Sequence, residues 1–97
     1  MSPRSAEDVR SALKRKGFRE SNSDHHWYVF WANDTKTNVR TKVSHSAGEI
    51  GDGILGKMKR QMQLTRPEFE QFLECHLGYR GYLSILKDKG FVPDDGV

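Results

Sequence analysis

The sequence predicts an α+β protein, in which a three-stranded antiparallel sheet has helices on one face. Residues from His25 to His45 are rich in aromatic and β-branched side chains and are interrupted by one polar turn, as in a β-hairpin. Segments with apolar residues three and four positions apart, the spacing of an amphipathic helix, lie on both sides of this hairpin. The predicted order is helix, three strands, helix, and then one or two C-terminal helices.

The first predicted helix begins after Ser5, an N-cap residue type that is followed by Asp8 three positions later. Gly17 is expected to end it, because glycine readily adopts the left-handed conformation that closes helices. A short first strand at residues 18–21 and a turn at residues 22–24 come next.

The second predicted strand covers residues 25–32, and residues 33–36 have the composition of a hairpin turn. A third strand follows at residues 38–45. Side chains alternate between the two faces of a strand. One face of the second strand therefore carries His25, Trp27, Val29 and Trp31, and the other carries His26, Tyr28 and Phe30.

Both faces of this strand are aromatic, whereas a strand with one wet face normally alternates apolar and polar residues. The second face is therefore expected to bind something or to be partly covered by the C-terminal helices. Trp27 and Trp31 are candidates for stacking on unpaired bases. They are equally candidates for burial against a protein partner.

Three helices are predicted in the C-terminal half. The second helix spans about residues 51–63 and presents an apolar stripe to the core, made of Ile54, Leu55, Met58 and Met62. The third begins at Thr65, where Pro67 and Glu68 are typical of a helix start, and ends at Gly78. A fourth is expected at residues 79–87.

Length and composition indicate a single domain over residues 1–97, with residues 90–97 as a tail. No apolar run approaches the roughly 20 residues that span a bilayer. The lone Cys75 cannot form a disulfide within the chain, and the N-terminus lacks an apolar leader. These features predict a cytoplasmic protein without a membrane partner.

The positive charge is concentrated in the middle of the chain. Residues 36–66 contain seven basic and two acidic side chains, against three basic and six acidic in residues 67–97. Such a distribution is typical of a nucleic-acid contact surface, although a solvated helix face explains a charge run equally well. The candidate RNA-binding residues are Lys42, Lys57, Lys59 and Arg60.

His25 and His45 are the candidate catalytic residues. Histidine exchanges protons near neutral pH, so His25 could take the proton of a ribose 2′-hydroxyl or give one to a leaving 5′-oxygen. The two histidines are nearly symmetric about the hairpin turn, so they could be neighbours across the strands. Ordinary surface histidines are the alternative interpretation of both.

Metal and dinucleotide sites are not predicted. Neighbouring strand residues point to opposite faces, so His25 and His26 would rarely share an ion. No spacing typical of zinc ligands occurs. Residues 51–56 match G-x-G-x-x-G, but they do not follow a strand directly and no βαβ unit surrounds them. No cofactor is expected.

The order of elements and the two histidines resemble the HicA toxin family. The resemblance covers about the first two-thirds of the chain, with matching segments at residues 9–18, 23–28, 41–45 and 49–61. The family's Gly-Ser-His motif is represented here by Ser23, Asp24 and His25, and Val43 stands where a proline usually precedes the second histidine. Residues 65–89 look like the helical extension of a longer branch, beyond a HicA-like core at residues 5–64.

The resemblance implies an α-β-β-β-α fold like that of double-stranded-RNA-binding domains. It further implies a type II toxin that cleaves mRNA without a metal, with His25 as the acid–base residue and a HicB-like antitoxin as its partner. His45 and Lys42 are expected to assist, one as a proton donor and the other as a charge stabiliser. A non-catalytic RNA-binding protein, or a protein-interaction module on the same scaffold, is the alternative.

Overall fold

The computed structural model describes residues 4–21, 26–43, 48–74 and 76–92. Its elements, in chain order, are β1 (Arg4–Ser5), α1 (Ala6–Arg15), β2 (Phe18–Glu20), β3 (Trp27–Ala32), β4 (Thr35–Lys42), β5 (Glu49–Ile50), α2 (Asp52–Gln61), α3 (Arg66–Leu73) and α4 (Tyr79–Asp88).

The predicted α+β class and the three-stranded antiparallel sheet are confirmed. The strand order is β2-β3-β4, and both neighbouring pairs are antiparallel. A second, two-stranded antiparallel ribbon of β1 and β5 was not predicted. Strands of two residues carry too little periodicity to be seen in a sequence. This ribbon joins the start of α1 to the start of α2.

The helix starts follow local sequence rules. The Ser5 hydroxyl accepts a hydrogen bond from the Asp8 amide at 3.4 Å, as predicted for α1. At α3, Thr65 and Glu68 form a reciprocal capping box. The bond from the Thr65 amide holds the pKa of the Glu68 carboxyl below its ordinary value.

The predicted end of the third helix is wrong. α3 ends at Leu73, and Gly78 is the N-cap of α4 rather than a C-terminal stop. The amides of His76 and Leu77 both donate to the Gln71 carbonyl, so the chain turns before Gly78 is reached. Two C-terminal helices therefore follow α2.

The β3–β4 turn consists of Asn33 and Asp34, with φ angles of 50° and 67°. Positive φ at both central residues is the type I′ geometry, whose twist suits a two-residue hairpin. α4 holds this turn from outside the hairpin: the Asn33 amide donates to the Tyr79 hydroxyl oxygen at 2.8 Å.

The core lies on the inner face of the sheet, against the C-terminal helices. Phe18 and Phe30 from the sheet meet Phe72 of α3 and Tyr82 of α4, with ring centroids 4.9–6.1 Å apart. The Tyr82 hydroxyl donates to the Met62 carbonyl at 2.8 Å, and burial raises the pKa of this phenol. The helical extension thus completes the core.

A buried lysine ties α1 to α3. Lys16 is only 6% exposed, and its ammonium group donates to the Phe72 carbonyl. The same nitrogen lies 4.8 Å from the Phe72 ring centroid. Buried charge is costly without such partners, so this contact fixes the relative position of the two helices.

Replacing Gly17 by alanine should destabilise the protein by roughly 2–4 kcal/mol, through overpacking and a left-handed backbone. Gly17 has φ of 104°, and an added Cβ would lie 2.6 Å from the Tyr79 ring and 2.8 Å from the Phe30 ring. Urea unfolding measures the loss. The control is Gly56→Ala, within α2, where the nearest atom would be 3.9 Å away. That variant should be neutral or more stable by up to about 1 kcal/mol, and equal losses in the two variants would contradict the expectation.

Candidate nucleic-acid interface

The face of the sheet opposite the core is basic and aromatic. We call it the outer sheet face, and it consists of Arg19, Trp27, Val29, Trp31, Lys36, Arg40 and Lys42. It follows from strand alternation: Tyr28 and Phe30 are fully buried on the inner face, which turns Trp27 and Trp31 outward, where both are half-buried.

Cationic side chains lie over both tryptophan rings. The Arg19 guanidinium is 4.3 Å from the Trp31 centroid, and that of Arg40 is 4.9 Å from the Trp27 centroid. The Lys42 ammonium is 5.9 Å from the same Trp27 ring. These contacts arise because Lys42 is the direct cross-strand partner of Trp27 and Arg40 is a diagonal neighbour. The rings are therefore shielded by groups that also attract phosphate.

A bulge in β4 forms a hollow on this face. Val29 pairs with Arg40, and Trp31 pairs with Lys36. Between these two pairs, β4 advances by four residues while β3 advances by two. The Thr37 hydroxyl bridges the gap by donating to the Phe30 carbonyl at 2.7 Å and accepting from the Val39 amide at 3.2 Å. The hollow has a volume of about 560 Å³ and is lined by Ser21, Trp27, Val29, Lys36, Thr37, Asn38 and Arg40.

A second concavity lies between β4 and α2. We call it the β4–α2 groove; its volume is about 390 Å³, and it is lined by Trp27, Lys42, Val43, Glu49, Ile50, Ile54, Lys57, Met58 and Gln61. Trp27 lines both the groove and the hollow of the outer sheet face. The expectation that Ile54 faces the core is wrong: it is 49% exposed at the groove, because Leu55, Met58 and Met62 already fill the buried side of α2.

Gln61 fixes one wall of the groove. Its Oε1 atom accepts from the Thr41 hydroxyl at 2.8 Å and from the Lys42 amide at 3.4 Å. Because a backbone amide can only donate, this oxygen must face β4, and the Nε2 group then faces away from these donors. The two bonds join α2 to the sheet and orient the carboxamide.

The cations of this region differ from many others in the chain. Within the described residues, Lys36, Arg40, Lys42 and Lys57 form no ion pair with a carboxylate. Basic groups elsewhere are matched: Arg4 with Glu74, Lys14 with Glu20, Arg66 with Glu70 and Lys89 with Glu68. Arg19, on the outer sheet face, is paired with Asp34 at 2.9 Å. Positive charge is thus unneutralised around Trp27.

The predicted RNA-binding residues do not all come together. Lys42 and Lys57 line the β4–α2 groove with Trp27. Lys59 is two residues from Lys57 and so points to nearly the opposite side of a helix with about 3.6 residues per turn. Arg60 is exposed and lies near Gly56 on another part of α2.

The candidate catalytic residues His25 and His45 lie outside the described residues. The last described main-chain contact of the β3–β4 ladder at this end is the bond from the Val43 amide to the His26 carbonyl, at 2.8 Å. His25 is one residue along the chain from this bond, and His45 is two residues from it.

Sequence reasoning overlooked Gln61, Arg19 and Thr37. The first two act across elements, through contacts that no local pattern encodes. Thr37 falls between the predicted turn at residues 33–36 and the predicted strand at residues 38–45, so neither prediction singled it out. A polar residue on the inward side of a predicted helix was the available signal for Gln61.

Neither a metal cluster nor a membrane span is found in the described parts of the chain. No group of three or more histidine, cysteine, aspartate or glutamate side chains there is arranged to hold a metal ion. None of the helices over the described ranges is both long and apolar enough to cross a membrane.

Replacing Thr37 by valine should cost about 1–2 kcal/mol of stability, because a bulge carbonyl and amide lose their hydrogen-bond partner. The two side chains have similar volume, so packing is nearly conserved. The control is Thr35→Val at the exposed start of β4, which should change the free energy of unfolding by less than about 0.5 kcal/mol. Chemical denaturation measures the free energy of unfolding of both variants. If Thr37→Val loses no more stability than Thr35→Val, Thr37 does not stabilise the bulge.

Comparison with known proteins leaves the family open. No protein-family model, no curated protein and no solved structure matches this chain. The contacts of the described residues and the sequence resemblance are therefore the basis on which a function is proposed.

Proposed function

We propose that this chain is a HicA-like endoribonuclease, the toxin of a type II toxin–antitoxin pair. In this proposal it binds mRNA across the outer sheet face and cleaves it without a metal, with His25 as the acid–base residue. The α-β-β-β-α core has the fold of double-stranded-RNA-binding domains, and a HicB-like antitoxin neutralises the enzyme by covering His25.

The unneutralised cations around half-buried tryptophans are the observation that carries RNA binding. Phosphate contacts by lysine and arginine supply most of the affinity for a nucleic acid. Aromatic side chains beside them stack on unpaired bases of any sequence. Trp27 meets both requirements, because Arg40 and Lys42 lie over its ring and Lys57 lines the adjacent groove.

The proposed chemistry uses the RNA as its own nucleophile. His25 removes the proton of a ribose 2′-hydroxyl, and that oxygen attacks the adjacent phosphorus. The bond from phosphorus to the 5′-oxygen breaks, and His45 gives the leaving oxygen its proton. The products are a 2′,3′-cyclic phosphate and a 5′-hydroxyl end, and Lys42 stabilises the charge on the phosphoryl oxygens.

Proximity in the chain supports the assignment of both histidines to one site. The Val43 amide donates to the His26 carbonyl at 2.8 Å, and along the chain His25 is one residue from His26 and His45 is two residues from Val43. Lys42 and Trp27 pair immediately next to that bond. An RNA strand stacked on Trp27 would therefore have its backbone at the end of the described hairpin that is nearest along the chain to both histidines.

A non-catalytic RNA-binding protein is the second candidate, and one specific observation favours it. The charged groups that lie over the two tryptophan rings are those of Arg19, Arg40 and Lys42, residue types that bind and position a nucleic acid through its phosphates. Binding with no cleavage is therefore the outcome that separates the two candidates.

His25→Ala should lower the rate of RNA cleavage by about 10²-fold or more, because one acid–base group is removed. RNA affinity and the free energy of unfolding should stay within a factor of two and about 0.5 kcal/mol of the unmodified protein. The measurement is cleavage of a labelled single-stranded mRNA fragment in the presence of a chelator, with product ends tested for a 2′,3′-cyclic phosphate.

The matched control for this variant is His76→Ala, at an exposed position between α3 and α4. It should cleave at the unmodified rate. Cleavage that survives in His25→Ala would refute the catalytic assignment, and RNA binding without cleavage in the unmodified protein would select the non-catalytic candidate.

Arg40→Gln should weaken RNA binding and reduce the slope of log affinity against log salt by about 1, because one phosphate contact is lost. Arg80→Gln removes the same charge from the exposed side of α4, away from the outer sheet face, and should leave the slope unchanged. Affinities measured by fluorescence anisotropy at several salt concentrations give both slopes. Equal changes in the two variants would show that net charge, and not this face, controls binding.

A further inference from the structure

We infer that the β4–α2 groove is a pocket for a single unpaired nucleobase, with the attached phosphate held at its rim by Lys42 and Lys57. This inference deepens the proposed function, since it assigns a substrate subsite beside the outer sheet face. It depends on that function for its biological setting, although the pocket itself is defined by the described side chains alone.

The size and lining of the groove suit a flat aromatic ligand. Its volume of about 390 Å³ lies in the range of roughly 300–1,000 Å³ that is typical of small-molecule sites. Trp27 forms an aromatic wall, and the side chains of Ile50, Ile54 and Met58 supply apolar contacts. Nearly half of the Ile54 surface is exposed there, which leaves apolar surface for contact with a ligand.

Polar groups at the groove can read a base edge. Gln61 uses its Oε1 atom for β4, and among the described residues its Nε2 group has no acceptor, which leaves a donor for a base carbonyl or ring nitrogen. Glu49 also lines the groove, and a glutamate carboxylate is an acceptor for exocyclic amines and ring N–H groups. A base edge carries both donors and acceptors, and so matches this pair.

Charge complementarity selects a nucleotide over an apolar peptide. Lys42 and Lys57 line the groove, and neither forms an ion pair within the described ranges. The groove lining contains these two lysines and one acidic residue, Glu49, so it keeps a net positive charge, which suits a ligand with a flat apolar ring and an adjoining phosphate. A purely apolar helix or strand would leave both lysines without partners.

The position of Trp27 links this pocket to the outer sheet face. Because Trp27 lines both the groove and the hollow beside the bulge, a strand running over Arg40 can place one base on each side of this side chain. The base in the groove would fix the register of the strand relative to the end of the hairpin.

The test is an NMR titration of the full chain, with backbone amides as the readout. The probes are the four nucleoside 5′-monophosphates and, as the control ligand, ribose 5-phosphate, which has the same phosphate but no base. We expect nucleotides to shift the signals of Trp27, Ile54 and Gln61 in a saturable manner, and ribose 5-phosphate to shift them at least threefold less. No bond is cleaved in this titration, so its result is independent of whether His25 is catalytic.

Gln61→Glu provides the matched variant. It keeps an acceptor for Thr41 and Lys42 but replaces the Nε2 donor with a second carboxylate oxygen, so nucleotide affinity should fall at least threefold. Gln71→Glu makes the same change on the exposed side of α3, outside the groove, and should bind as the unmodified protein does.

Three outcomes would overturn the inference. Equal shifts with ribose 5-phosphate would reduce the groove to an anion site. Shifts confined to Arg40 and Trp31 would place base stacking on the outer sheet face alone. If the groove binds an apolar peptide but does not bind nucleotides, it is a protein-docking site. If the unmodified protein cleaves RNA in any of these cases, the proposed function is retained and only the base pocket is rejected.

Discussion

A cluster of four aromatic rings determines which face of the sheet remains for function. Phe18, Phe30, Phe72 and Tyr82 meet on the inner face with centroids 4.9–6.1 Å apart, and the C-terminal helices supply half of them. Since strand side chains alternate, burying Phe30 leaves its neighbours no position except the opposite face. The exposure of the tryptophans is thus a consequence of core packing in the helical extension.

The stacking of arginine on tryptophan indicates how that face would respond to RNA. A cation over an exposed aromatic ring contributes about 0.5–1 kcal/mol, whereas stacking of a base on an aromatic side chain contributes about 1–3 kcal/mol. When a base displaces the Arg40 guanidinium from Trp27, the free energy gained by base stacking therefore exceeds the free energy lost from the cation–π contact. The freed guanidinium can then contact the adjacent phosphate. In the proposed RNA complex, this contact would keep the ring and the cation close to the positions that binding requires.

Local chemistry explains what the sequence could predict. The N-cap at Ser5, the left-handed Gly17 and the capping box at Thr65 each depend on residues within a few positions of one another, and all were anticipated. The hairpin turn was placed correctly at Asn33 but predicted two residues too long, since Thr35 and Lys36 belong to β4. The extent of α3 was not, because the turn at the Gln71 carbonyl competes with Gly78 as a stop. The short β1–β5 ribbon also depends on contacts distant in sequence.

The candidate site was predictable in its residue types and less so in its geometry. Basic and aromatic residues on β3 and β4 followed from alternation, which correctly separated Trp27 and Trp31 from Tyr28. The groove could not be foreseen, because it requires the rotation of α2 about its axis, and Gln61 sets that rotation through a bond to Thr41 twenty residues away in sequence.

The faces of β4 beyond its bulge depend on whether the strand gains or loses an odd or an even number of residues. The extra residues between Lys36 and Arg40 amount to an even number, so Arg40 and Lys42 emerge on the same side as Lys36. Removing a single residue would exchange the faces of everything beyond it, sending Arg40 and Lys42 toward Phe30 and bringing Val39 and Thr41 to the surface. A change of one residue in this strand therefore exchanges its faces unless a one-residue bulge absorbs it, whereas a change of two residues keeps them.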